Sequence, residues 1–152
     1  MGNICRSPTA HGVFRNYIKA ANLTNVIEVD SAGTHAYHVG EPPDLRSQAH
    51  ARQRGYELSD LTARQIQTSD FSHYELLLVM DWDNHALTEQ MCPKEYRHKI
   101  KRLTEFCKIQ QATVVPDPYY KGEEGFEEVL DLVEDACEGL IDHIQTILRS
   151  AN

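Results

Sequence analysis

The apolar run ELLLVM at residues 75–80 limits the folds open to this chain more than any other stretch. A strand with one wetted face alternates apolar and polar residues, whereas an unbroken apolar run is typical of a strand covered on both faces of a parallel sheet. Two further short runs, residues 26–30 and 100–103, also predict strands. Because helical patterns separate the three, the sequence predicts an α/β fold: a small parallel sheet with helices on both faces.

The helix boundaries are predicted from residues that cap helix ends. Ser7 and Pro8 are typical of a helix start, with Ser7 as N-cap and Pro8 at the first helical position. Asp44 is predicted to cap the next helix, and Asp81 to open another directly after the apolar strand. Residues 126–148 predict a long last helix with an apolar stripe, and the carboxylates opposite that stripe predict a solvated acidic face.

Composition is that expected of one cytoplasmic domain over residues 1–152. A net charge of −8 argues against nucleic acid or an anionic membrane as partner, since both attract basic surfaces. No apolar run approaches the roughly 20 residues that a membrane span needs. The four cysteines lie far apart without metal-ligand spacing, which indicates reduced thiols and predicts no metal or other cofactor.

The first residues have the features of an anion-binding loop that leads into a helix. Unpaired backbone N–H groups and the helix dipole both attract negative charge at such a position. Gly2 permits a tight turn, and the guanidinium of Arg6 matches two phosphate oxygens. An ordinary capped helix with a surface arginine explains the same letters, so both interpretations stay open. The candidate phosphate-binding residues are Gly2, Asn3, Ile4, Cys5, Arg6 and Ser7.

Asp117 is the candidate general acid. It lies between Pro116 and Pro118, which stiffen the backbone around it, and Tyr119 and Tyr120 follow. A carboxyl fixed on a loop beside aromatic surface can donate a proton to a leaving group, and the two rings can wall a pocket for a flat substrate. A plain surface turn is the competing interpretation.

Taken together, six stretches in this order resemble the low-molecular-weight protein tyrosine phosphatase family. They are GNICRSP at 2–8, DSAGT at 30–34, VGEPPD at 39–44, ARQI at 63–66, MDWDN at 80–84 and DPYY at 117–120. The resemblance covers essentially the whole chain. It implies the family's fold, a four-stranded parallel sheet with helices on both faces, and hydrolysis of phosphotyrosine through a phosphocysteine intermediate without a cofactor.

The resemblance also implies a role for each matching residue. Arg6 would bind the phosphoryl oxygens, and Asp117 would protonate the leaving phenolate and later deprotonate the attacking water. Ser7 would assist the departing thiolate. The expected ligands are a phosphotyrosine protein or small aryl phosphate, and a phosphate or sulfate ion in the loop.

Supporting roles are implied for six further positions. Tyr37 and Tyr119, with Tyr120 beside them, would form the aromatic walls that select phosphotyrosine. Ser31 and Asp81 would support the loop. Cys5 would be the neighbouring cysteine that can form a protective disulfide with the nucleophile.

The family's loop pattern, CxGNxCRS, places the nucleophilic cysteine one residue ahead of Met1. The strand before that cysteine belongs inside the sheet, between the second and third strands. We therefore expect the chain as written to lack phosphatase activity, and we favour a true start that lies upstream. A missing interior strand leaves two unpaired edges, which also favours a dimer that repairs the sheet.

Two other functions remain as alternatives. A pseudophosphatase would bind phosphotyrosine through Arg6 without turnover. An arsenate reductase on the same fold would need a relay of cysteines, for which Cys92 is the candidate. The acidic last helix offers only charge as an argument for a protein partner.

Overall fold

The computed structural model describes residues 4–119 and 121–151, which form several helices and two short strands. In chain order the elements are α1 (Arg6–Ala20), α2 (Leu45–Gln53), α3 (Thr68–His73), β1 (Leu77–Val79), α4 (Trp82–Met91), a first 3₁₀ helix (Lys94–Lys99), β2 (Ile100–Arg102), a second 3₁₀ helix (Leu103–Phe106) and α5 (Glu123–Ser150). The predicted α/β class is confirmed. α3 and the first 3₁₀ helix were not predicted. None of the helices described is long and apolar enough to cross a membrane.

The sheet is small and parallel. β1 pairs with β2 in a register that sets Leu77 opposite Ile100 and Val79 opposite Arg102. Side chains on the two faces of β1 enter different apolar clusters: Leu78 packs against the larger one, which contains α1 and α5 residues, and Val79 belongs to a smaller one with α3. The unbroken apolar run thus predicted correctly that this strand is covered on both sides.

The strand predicted at residues 26–30 is wrong as a strand assignment. In the described chain these residues form no ladder, although an isolated parallel bridge joins Gly33 to Gln65 just beyond them. A strand needs a hydrogen-bonded neighbour, and here residues 28–34 and 76–80 instead line one cavity. The short run with apolar residues is present, but the described residues supply no ladder that would make it a strand.

Two of the three capping predictions are confirmed. The Asp44 carboxylate accepts from the N–H of Arg46 at 2.9 Å, and Asp81 accepts from the N–H of Asn84 at 2.7 Å. The third is wrong, because α1 begins at Arg6 with Cys5 as N-cap. The Cys5 carbonyl accepts from both the N–H and the hydroxyl of Thr9, which starts the helix before Ser7.

α5 supplies much of the core. Its predicted apolar stripe is buried against α1, α2 and the second 3₁₀ helix through Phe126, Val129, Leu130, Val133, Cys137 and Leu140. At Gly139 the helix comes so close to the second 3₁₀ helix that an added Cβ would lie 1.8 Å from the Phe106 carbonyl oxygen. This close approach fixes where the 107–122 connection, which carries Asp117, leaves the second 3₁₀ helix.

The acidic face of α5 is less solvated than predicted. Arg54, at the end of α2, contacts three of its carboxylates, those of Glu127, Asp131 and Glu134. Glu127 also accepts from His50. Part of the acidic face therefore holds α2 against α5, because the two helices carry opposite charges where they meet.

Candidate active site

One cavity of about 470 Å³ brings together most of the predicted site residues. Its walls come from the start of α1, the 28–34 segment, the end of β1 and the turn at 117–119. The predicted residues on its lining are Ile4, Cys5, Arg6, Ser7, Ser31, Tyr37, Asp117 and Tyr119. Gly2, Asn3 and Tyr120 lie outside the described residues.

Arg6 is buried at the base of this cavity, with 5% of its surface exposed. One nitrogen, Nη1, donates to Asp81 Oδ2 and to the Val115 carbonyl, each at 2.7 Å. Among residues 4–119 and 121–151, neither Nε nor Nη2 has an acceptor. The guanidinium is thus fixed through one nitrogen and keeps a pair of donors, the arrangement that grips two oxygens of a phosphate.

Asp81 contacts Arg6 but does not itself line the cavity. It is the N-cap of α4, and its two oxygens divide between the Asn84 N–H and the Arg6 guanidinium. Burial alone would raise the pKa of this carboxyl, but the Asn84 N–H and Arg6 outweigh burial and lower it. Asp81 is therefore ionised at neutral pH and holds Arg6 by charge as well as by geometry.

Asp117 is exposed at the rim of the cavity. Its Oδ1 accepts from the Tyr119 N–H at 3.0 Å, a local contact that shapes the turn. Pro118 is fully buried beneath it, and the Val115 N–H donates to the Met80 carbonyl at 2.8 Å. These anchors hold the turn near the end of β1, where the Asp117 carboxyl shares a cavity with Arg6.

Two tyrosines lie at the mouth of the cavity. Tyr37 is 75% exposed and its ring stacks on His35, with centroids 5.0 Å apart and planes within 10°. Tyr119 is 38% exposed, and the guanidinium of Arg46 lies 5.0 Å from its ring centroid. Aromatic faces at the rim of an anion site suit a ligand that carries its charge on a flat ring.

Ser31 lines the cavity beside α1. Its hydroxyl lies 2.9 Å from Nδ1 of His11, a residue that sequence reasoning did not single out for function. Burial lowers the pKa of His11, although Asp30 opposes this, so the imidazole is uncharged at neutral pH. Within α1 the stretch HGVF at residues 11–14 indicates only a helix and gave no signal for this contact.

Cys5 is a poor nucleophile in this setting. The residue is buried, and burial, followed by the charge of Asp44, raises the pKa of its thiol to about 11. A thiol attacks phosphorus as the thiolate, which is scarce when the pKa lies that far above neutrality. This environment agrees with the family pattern, in which Cys5 is the neighbour of the nucleophile and not the nucleophile itself.

Asp44 was predicted only as a helix cap and Arg46 was not predicted at all, yet both contact residues that line the cavity. The Asp44 N–H donates to the Ile4 carbonyl at 2.7 Å, and Arg46 donates from Nη1 to the Tyr119 carbonyl at 3.0 Å. In the sequence, the one hint of these contacts is that Arg46 follows two residues after Asp44, which ends the VGEPPD stretch.

Comparison with known proteins points to one family. The chain matches the family described as low molecular weight phosphotyrosine protein phosphatase over residues 1–150. It is 41% identical over 143 residues to the low molecular weight protein-tyrosine-phosphatase of Streptomyces coelicolor, covering 92% of this chain and 87% of that protein. It is 34% identical over 146 residues to the human low molecular weight phosphotyrosine protein phosphatase, covering 93% and 90%.

A solved structure agrees with these alignments. The crystal structure of a protein tyrosine phosphatase from Entamoeba histolytica superposes with a TM-score of 0.93 at 42% identity. The superposition covers 96% of this chain and 93% of that one.

Proposed function

Because the chain belongs to the low molecular weight phosphotyrosine protein phosphatase family, we propose that its cavity hydrolyses phosphotyrosine monoesters. The observation that carries this is the placement of Arg6 and Asp117 on one cavity lining. A phosphoryl group at the base would meet the arginine, while the ester oxygen would point toward the carboxyl at the rim.

Arg6 would stabilise the charge on the phosphoryl oxygens. Its Nε and Nη2 are the donors left by the contacts with Asp81 and Val115. Since the guanidinium is already fixed and largely desolvated, little reorganisation is needed when charge develops in the transition state. The Ser7 hydroxyl and the backbone amides of residues 4–7 would complete the phosphate-binding site at the start of α1.

Asp117 would act first as acid and then as base. As a thiolate attacks phosphorus, the sulfur–phosphorus bond forms and the bond to the aryl oxygen breaks, and the protonated carboxyl gives its proton to that oxygen. In the second step the carboxylate accepts a proton from water. The water oxygen then bonds to phosphorus and the sulfur leaves as thiolate.

The thiolate in these steps belongs to a cysteine that the family pattern places one residue ahead of Met1. Cys5 does not replace it, because its thiol is buried and its pKa is raised. We therefore propose that the 152-residue polypeptide by itself binds aryl phosphates without turning them over.

The test compares three polypeptides: residues 1–152, the same chain preceded by a short apolar strand that ends in Cys directly before Met1, and a control with Ser for that Cys. With p-nitrophenyl phosphate, the cysteine-bearing chain should release nitrophenolate and form a phosphocysteine that mass spectrometry detects. The other two should do neither. Turnover by the 152-residue chain, or inactivity of the cysteine-bearing one, would contradict the proposal.

The arsenate reductase alternative has less support. Its candidate relay residue, Cys92, is buried in the smaller apolar cluster, where its thiol donates to the Pro93 carbonyl at 3.3 Å. It does not belong to the cavity lining. A pseudophosphatase would bind a phosphotyrosine peptide through Arg6 without turnover. Binding of such a peptide to the 152-residue chain that is lost in Arg6→Ala tests this alternative.

The remaining expectations belong to this proposal as well. A single cytoplasmic domain over residues 1–152, a phosphotyrosine protein as substrate, no nucleic-acid or membrane partner, and a dimer that repairs the sheet all stay predictions. Light scattering on the 152-residue and strand-bearing chains tests the last of these, since only the former should dimerise.

A further inference from the structure

Arg46 occupies an unusual position beside the turn that carries Asp117. It lies near the start of α2, and its guanidinium packs between two aromatic rings, 5.0 Å from the Tyr119 centroid and 4.9 Å from that of Phe126. Its Nη1 donates to the Tyr119 carbonyl at 3.0 Å. A flat cation is suited to this place, because it stacks on rings and donates in its own plane at once.

The direction of Arg46 is fixed by Asp44. Nε donates to Oδ1 at 3.3 Å and Nη2 to Oδ2 at 3.1 Å, a two-point contact. Burial would raise the pKa of Asp44, but the contact with Arg46 and the N–H of Ser47 lower it, so the pair is ionised at neutral pH. Through the Asp44 N–H, which donates to the Ile4 carbonyl, the pair also reaches the segment that precedes α1.

The turn that carries Asp117 is consequently held at both ends by arginines. Arg6 binds the Val115 carbonyl, two residues before Asp117, and Arg46 binds the Tyr119 carbonyl, two residues after it. Arg6 is buried and belongs to the phosphate site. Arg46 contacts the turn from the outer side, where its side chain is 48% exposed.

We propose that Arg46 is a positioning residue that holds the Asp117 carboxyl within hydrogen-bond reach of the leaving-group oxygen. The proposal rests on the function proposed above. A proton donor works only within hydrogen-bond reach of the oxygen that it protonates, and a displacement of about 1 Å can lower a rate by roughly a hundredfold. Without Arg46 the Tyr119 carbonyl would lose the hydrogen bond from Nη1, and the Tyr119 ring would lose the guanidinium that lies against it.

The first experiment uses the cysteine-bearing chain and two substrates. Phenyl phosphate has a poor leaving group that needs protonation, whereas p-nitrophenolate leaves readily without it. Arg46→Ala should lower kcat/KM for phenyl phosphate by about tenfold to a hundredfold, and that for p-nitrophenyl phosphate far less. Arg46→Lys, which keeps the charge but not the flat stack, should fall in between.

Arg52→Ala is the matched control. Arg52 lies on the same helix, is exposed, and pairs with Glu57 away from the cavity. Arg52→Ala should leave kcat/KM for both substrates unchanged. Equal losses for both substrates in Arg46→Ala would indicate a general structural role and overturn the proposal, as would no loss at all.

The second experiment needs no catalysis and uses the 152-residue chain. Amide hydrogen exchange of Tyr119, whose N–H donates to Asp117 Oδ1, should be faster in Arg46→Ala than in the parent, and unchanged in Arg52→Ala. Unchanged exchange in Arg46→Ala would refute the positioning role even if the cysteine-bearing parent proved inactive. An inactive parent with faster exchange in Arg46→Ala would instead refute only the proposed function.

Discussion

Arg6 and Asp81 form an ion pair, Nη1 to Oδ2 at 2.7 Å, that joins the first turn of α1 to the N-cap of α4. The same Arg6 nitrogen reaches the Val115 carbonyl, two residues before Asp117. The phosphate site and the turn that carries the proposed proton donor therefore both depend on the buried guanidinium of Arg6. A change at Asp81 should affect both.

Asp81→Asn should destabilise the fold in a pH-dependent way. The pKa of the folded Asp81 carboxyl is lowered, so its stabilising charge is fully present above the ordinary value of 3.8 and is lost as pH falls through the lowered value. At pH 7 the variant should lose about 1–3 kcal/mol, because Arg6 is left with one partner fewer. Urea unfolding at pH 7 and pH 3 measures this, and the gap between parent and variant should narrow at pH 3. A gap that stays constant or widens on acidification would contradict the role of this charge.

Arg6→Lys should weaken phosphate binding while keeping the fold. A lysine keeps a positive charge near Asp81 but lacks the two parallel donors, so the Kd for phenyl phosphate should rise by roughly tenfold in calorimetry on the 152-residue chain. Arg15→Lys is the control on the same helix, since Arg15 pairs with Asp60 outside the cavity. Equal affinities for the two variants would remove Arg6 from the phosphate site.

Asp117→Asn should separate proton transfer from binding. In the cysteine-bearing chain, kcat/KM for phenyl phosphate should fall by about 10²–10⁴, the usual contribution of a general acid. The fall for p-nitrophenyl phosphate should be much smaller, and phosphate affinity should not weaken. Parallel losses for the two substrates would show that Asp117 acts only on the shape of the turn.

Cys5→Ser should leave turnover by the cysteine-bearing chain close to that of the parent, because the Cys5 thiol forms and breaks no bond in the proposed steps. The Cys5 thiol is buried and its pKa is raised to about 11, so iodoacetamide at neutral pH should modify it slowly. Peptide mapping after alkylation gives the rate. Rapid alkylation, or a phosphoryl group found on Cys5, would contradict the assignment of this residue as a bystander.

Local signals predicted those parts of the fold that depend on local chemistry. The caps at Asp44 and Asp81 need only a short polar side chain before a helix. The strand at residues 77–79 needs only an apolar run whose side chains can be buried on both faces of the sheet. The strand expected at 26–30 failed because strand formation depends on a neighbour far away in the chain. No local pattern contains that information.

The site followed the same division. The family resemblance implied that one site contains Arg6, Ser31, Tyr37, Asp117 and Tyr119. All five residues line one cavity in the structure. The contact between Arg46 and the Tyr119 carbonyl spans 73 positions in the chain and depends on how α2 packs on α5. Such a contact follows only from the tertiary arrangement, and sequence reasoning had no access to it.

The most direct test of the account is a titration of the ¹⁵N-labelled 152-residue chain with phosphotyrosine, followed by two-dimensional NMR, with tyrosine as the matched ligand. The account predicts that phosphotyrosine shifts the amides of residues 4–7, the Nε–H of Arg6 and the Tyr119 amide, while tyrosine leaves the first two groups unmoved. Shifts that bypass Arg6 and the start of α1, or identical shifts with tyrosine, would contradict the claim that this cavity binds the phosphoryl group.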